Sequence, residues 1–102
     1  MAKKPSRSFD TTSHEMLRDQ ETAAMYLEEV LADGDIELFK EALKDVAAAR
    51  VGSMTDLAKQ TDLAREALYR SLSRKGNPRL DTLTKVLQAA GLRLSIAPDS
   101  AA

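Results

Sequence analysis

Residues 53 to 72 read Ser53-Met54-Thr55-Asp56-Leu57-Ala58-Lys59-Gln60-Thr61-Asp62-Leu63-Ala64-Arg65-Glu66-Ala67-Leu68-Tyr69-Arg70-Ser71-Leu72, and the fold is decided here. Ser53 followed by Asp56 fits a capping pattern at a helix start, with Thr55 as an alternative cap. The apolar residues Met54, Leu57 and Ala58 predict a short helix reaching Gln60. Leu63 then begins a turn into a second helix, where Ala67, Leu68 and Leu72 face inward while Arg65, Glu66, Tyr69 and Arg70 face outward. Two short helices separated by about three residues have helix-turn-helix spacing. That motif makes specific demands, and this stretch answers each. Ala58 is small enough for a close helix crossing, Asp62 stands where the turn needs a tolerated positive φ, and Leu63 and Leu68 are the buried anchors.

Upstream, Ala23, Ala24, Leu27, Val30 and Leu31 recur at helical spacing from Gln20 until Gly34 stops the run. Asp35 can cap the next helix, with Ile36, Phe39, Ala42, Leu43, Val46 and Ala47 on its apolar face. Glu37, Lys40, Glu41, Lys44 and Asp45 are assigned to the opposite face, and Gly52 ends the helix. Downstream, Gly76 is expected to close the second motif helix in a left-handed conformation, and Asn77-Pro78 to open another with Leu80, Leu83, Leu87 and Ala90 inward. After Gly91, the alternation of Leu92, Leu94 and Ile96 with Arg93 and Ser95 predicts a short strand. The expected fold is all-α: a five-helix helix-turn-helix domain with a short C-terminal strand. Residues 1–19 are expected as a flexible N-terminal tail, 20–97 as the DNA-binding domain and 98–102 as a C-terminal tail.

The 102-residue length suits one small domain, and 4% aromatic residues leave a core of Leu, Ala, Val and Met. With no cysteine, disulfides, thiolate catalysis and cysteine-ligated metals are excluded. His14 is the single histidine and has no second ligand at helical spacing, and no glycine-rich phosphate loop is present. Neither a cofactor nor an enzymatic function is expected. The polar N-terminus lacks the apolar stretch of a signal peptide, and no apolar run approaches membrane length, so a cytoplasmic protein without membrane contact is expected. The net charge of −1 conceals two opposite halves. Residues 1–50 hold seven Lys/Arg against eleven Asp/Glu, whereas residues 51–102 hold eight against five. Within the second half, Arg65, Arg70, Arg74, Lys75 and Arg79 are opposed by Glu66 alone over residues 65–79, a basic stripe suited to phosphates.

Residues 62–73, then Gly76-Asn77-Pro78 and the closing Lys85-Val86-Leu87-Gln88-Ala89-Ala90-Gly91-Leu92-Arg93-Leu94, resemble the probable addiction-module antidote proteins. These are HigA-like antitoxins with a Cro/repressor-type helix-turn-helix, paired with RelE/ParE-like toxins. The resemblance covers roughly residues 20 to 97, including Tyr26-Leu27 and Gly34-Asp35. Two positions depart from it. Asp62 stands where the family usually has Gly, and Ala64 where it usually has the Ser that caps the recognition helix. Losing that cap costs about 1 kcal/mol.

The resemblance implies an antitoxin that represses its own operon and neutralises a RelE/ParE-like toxin by contact. Two other readings stay open: a stand-alone phage-type transcriptional regulator, and a protein-interaction module without DNA binding. In a major groove, Arg65 and Arg70 are candidates for guanine, Glu66 for a cytosine amino group, and Tyr69 for a thymine methyl or a phosphate. Arg74, Lys75 and Asn77 lie beyond the helix as phosphate contacts, and Ser53 and Thr55 offer hydroxyls and amides at a helix start. Residues 10–45 carry eleven Asp/Glu against Arg18, Lys40 and Lys44. With Phe9, Met16, Leu17, Met25 and Tyr26 as anchors, they suit a basic toxin. One motif reads few base pairs, so a homodimer on double-stranded operator DNA is expected. The strand over 92–96 is expected to pair with its copy, or with a partner's sheet.

Overall fold

The computed structural model describes residues 11–100, in which six α-helices follow one another: α1 (Thr11–Met16), α2 (Gln20–Ala32), α3 (Ile36–Val51), α4 (Met54–Thr61), α5 (Arg65–Ser71) and α6 (Leu80–Ala89). The all-α reading agrees with this. The helix count differs by α1, which lies within residues expected as tail. Leu17, just after α1, is only 3% exposed and belongs to the core. The Arg50 guanidinium donates to the Arg18 carbonyl. Residues 11–19 are thus packed against α3.

No strand occurs among the described residues, and residues 92–99 have no regular secondary structure. The expected C-terminal strand is therefore corrected. Alternating side chains prepare a chain for a ladder, but a ladder needs a second strand, and the described residues supply none beside residues 92–96.

Local chemistry explains most helix limits. The Asp19 carboxylate accepts from the Thr22 N–H at 2.9 Å and Asp35 from the Leu38 N–H at 3.1 Å, each capping orphan donors at a helix start. The two hydrogen bonds from Thr22 hold the Asp19 carboxyl below its usual range. Ser53, rather than Thr55, caps α4, accepting from the Asp56 N–H at 3.1 Å. Gly34 at φ 81° and Gly91 at φ 83° take the left-handed conformation their positions require. Gly76 does not belong with them, since the positive-φ glycines are Gly34, Gly52 and Gly91. Its reason for lacking a side chain is close approach: a Cβ there would fall on the carbonyl oxygens of Arg70 and Ser71. Pro78 also sits earlier than expected, because α6 starts at Leu80 with Arg79 as N-cap.

Helix α3 packs against α1, α2, α4 and α6, while α4 carries α5 and also meets α6. Leu43, Val46, Leu57, Leu68, Leu72 and Val86 are fully buried between them. Burying each such side chain stabilises the fold by roughly 1.5–3 kcal/mol. Leu31, Ile36 and Leu80 were assigned to apolar faces but are 44%, 54% and 68% exposed. All three lie at helix ends, where the helix runs past the core it packs on.

Two cations on the core-facing arc of α3 hold the remaining elements. Lys40, assigned by sequence to the polar face, is 3% exposed. Its ammonium donates to the carbonyls of Arg74 at 3.0 Å and Gly76 at 2.6 Å and lies 3.6 Å from the Glu37 carboxylate. At the other end of α3, Arg50 donates to the Ala90 carbonyl at 2.6 Å, beside the Gln20 amide that donates to the Gly91 carbonyl at 2.6 Å. The buried Lys40 charge is tolerated because two backbone carbonyls and the Glu37 carboxylate surround it, while Arg50, only half-buried, makes charge-assisted hydrogen bonds to backbone oxygen.

Candidate nucleic-acid interface

Helices α4 and α5 are joined by Asp62, Leu63 and Ala64. Asp62 takes φ 59° and ψ 33°, the one non-glycine with positive φ among the described residues, and its N–H donates to the Ala58 carbonyl. The Leu63 N–H reaches the same oxygen at 3.2 Å. Thr61 is buried, with its hydroxyl donating to the Leu57 carbonyl at 2.7 Å. Ala64, as N-cap of α5, makes no side-chain cap bond. The turn thus forms with an Asp in the position glycine suits best, and α5 begins without the hydroxyl that would satisfy its first donors.

On α5, Leu68 is buried and Ala67 and Ser71 are half-buried, which leaves Arg65, Glu66, Tyr69 and Arg70 exposed on one face. The Arg65 guanidinium stands over the Tyr69 ring, 5.6 Å from its centroid, a cation–π contact that aligns the two side chains. Beyond α5, Arg74, Lys75 and Asn77 are exposed. Lys40 and Gly76 hold their loop against α3 and the last turn of α5. The Ser73 hydroxyl closes the helix by donating to the Arg70 carbonyl at 2.8 Å. Ser53 and Thr55 are exposed at the start of α4. Ser53 accepts within its own cap, so only its O–H proton remains to be offered.

Lys40 was missed by sequence reasoning. A signal for it exists: it lies three and seven residues before Leu43 and Ala47, both of which face the core.

The proposed toxin anchors are scattered by the fold. Met16 and Met25 are 57% and 62% exposed, Tyr26 is half-buried, Leu17 is in the core, and Phe9 lies outside the described residues. Partial burial, followed by the nearby Asp45 and Glu41 carboxylates, pushes the Tyr26 phenol up to about 12. The outward face of α2 carries Glu21, Glu28 and Glu29 around Met25, all exposed.

A family model described as "Probable addiction module antidote protein" matches residues 6–98. The chain belongs to this antidote family. It is also 38% identical over 90 residues to a protein of Haemophilus influenzae (strain ATCC 51907 / DSM 11121 / KW20 / Rd) described only as uncharacterized. That match spans 88% of this chain and 89% of the relative. No solved structure matches the chain. An antidote implies a toxin as partner, and a regulatory rather than enzymatic role. No helix among the described residues is long and apolar enough to cross a membrane.

Proposed function

We propose that this antidote is an autorepressing antitoxin, with α4 and α5 as a helix-turn-helix and the exposed face of α5 as the reader of operator DNA. The observation that carries the reading is the grouping of Arg65, Glu66, Tyr69 and Arg70 on the solvent side of α5, followed by a fastened loop bearing Arg74 and Lys75. Arg70 and Arg65 present forked donors to guanine, with Arg65 pre-aligned by Tyr69. Arg74, Lys75 and Asn77 take phosphates and fix the register, joined by Ser53 and Thr55 at the start of α4. Binding to two half-sites calls for a homodimer. The α2 face with Glu21, Met25, Glu28 and Glu29, and Met16 near it in sequence, offers negative charge and apolar contact to a basic toxin of the RelE/ParE-like kind. Leu17 serves as core rather than anchor.

The test is a gel-shift titration with the DNA upstream of the protein's own gene. Arg70→Ala and Tyr69→Ala are each expected to weaken binding by about 1 to 3 kcal/mol while circular dichroism stays unchanged. Equal binding by the wild type and both variants at one salt concentration would overturn α5 as the reader and favour an interaction module without DNA binding.

A further inference from the structure

An apolar groove of about 310 Å³ opens between α2, α3, α6 and the segment after α6, floored by Leu27, Phe39, Leu87 and Leu92. Its volume is at the lower limit of small-molecule pockets, roughly 300 Å³. It lacks the converging polar groups by which such pockets orient a ligand, since its charged lining is Glu28 on the α2 side and Arg93 on the other. None of the residues lining it comes from α4 or α5. Its occupant need not compete with DNA.

The segment that walls the groove also carries a bare aliphatic side chain. Ile96 follows directly on the groove wall at Ser95 and is 100% exposed, and Leu94 beside it is 40% exposed. An apolar hole and, one residue past its wall, an exposed aliphatic side chain give a single chain both halves of a reciprocal contact, as a two-fold interface requires. The groove lining carries opposite charges, Glu28 from α2 and Arg93 after α6, so a copy seated with unlike sides facing pairs Arg93 of one with Glu28 of the other. We infer that the groove receives Ile96 from a second copy of this chain, giving a reciprocal dimer with α5 free on each protomer. This names the surface of the homodimer in the proposed function and rests on that homodimer alone; it is tested without DNA.

The experiment is sedimentation equilibrium of the full chain and its variants. The wild type is expected to be dimeric at about 10 μM. Ile96→Asp places two charges in the interface and is expected to raise the dissociation constant at least about a hundredfold. Because Ile96 touches no core, circular dichroism should be unchanged. Glu28→Arg and Arg93→Glu should each weaken the dimer about two- to fivefold, and the double swap should restore it. A dimer indifferent to Ile96→Asp overturns this surface while leaving the homodimer intact. A wild type that stays monomeric at about 100 μM overturns both, and a groove shielded only when toxin is added assigns it to the toxin instead.

Discussion

Helices α2 and α5 each set charges around one large exposed side chain, Glu21, Glu28 and Glu29 around Met25 in the first and Arg65 and Arg70 around Tyr69 in the second. They are held in opposite ways. Helix α2 has a side-chain cap from Asp19 and buries Ala23, Leu27 and Val30. Helix α5 has no side-chain cap and buries Leu68 alone, with Leu72 just beyond its end. What α5 lacks in burial is supplied at its C-terminal end by the buried ammonium of Lys40 and the close approach of Gly76. The acidic face thus rests on a helix capped and buried along its own length, whereas the basic face depends on a loop beyond its helix that Lys40 of α3 holds in place.

The largest effect should come from breaking that support. Gly76→Ala forces a Cβ onto two backbone oxygens and is expected to destabilise the protein by about 3 kcal/mol in urea unfolding. Lys40→Met leaves two carbonyls without their donor and should cost roughly 1–3 kcal/mol. Operator affinity should fall with both. An unchanged unfolding midpoint for both would mean that α5 stands without the tether.

Neutralising the other face tests whether the two surfaces are separable. Glu21→Gln and Glu29→Gln together should weaken toxin binding about fivefold at low salt and less at high salt, where screening is stronger. Operator binding should stay within about threefold of the wild type. Equal losses on both ligands, measured by titration calorimetry and gel shift, would join the surfaces into one.

A smaller gain is expected at the start of α5. Ala64→Ser restores a capping hydroxyl at an N-cap in extended conformation and should raise stability by about 1 kcal/mol, read as a shift of the urea midpoint. The same substitution has no counterpart on α2, which is already capped.

The smallest effect concerns pH. Tyr26 keeps its proton more tightly when folded, so its contribution is complete below its unfolded value near 10 and is lost as pH rises toward about 12. The melting temperature should decline over that window in the wild type, with a shallower decline in Tyr26→Phe. Identical slopes would remove Tyr26 as the source.

Reading the sequence located α2 to α6 to within a few residues and assigned α5 its exposed face, because these depend on neighbours in the chain. Asp35 and Ser53 cap the helices that follow them, Gly34 and Gly91 stop helices, and the spacing of Leu57, Asp62, Leu63 and Leu68 encloses the turn. The four outward residues of α5 follow from a 3.6-residue period once Leu68 and Leu72 are taken as core. Phe9 and the other anchors were harder to assess because an anchor is defined by what remains uncovered. Local pattern could not say that Leu17 would be covered and Met25 left bare.

The sequence by itself therefore determined the helical class, most helix limits and the segregation of acidic and basic charge, all set by interactions a few residues apart. Only the tertiary structure decided that Lys40 is buried, that Gly76 answers to the Arg70 and Ser71 carbonyls, and that residues 92–99 form no strand in the single chain. Lys40 and the missing strand depend on partners distant in the chain or absent from it, and Gly76 on how the loop folds back over the end of α5. Lys40 reaches across 34 and 36 residues to its carbonyls, and its long aliphatic stem leaves its ammonium free to follow either water or backbone oxygen. Helical periodicity is blind to that choice, since it records which face a residue is on and not what stands opposite.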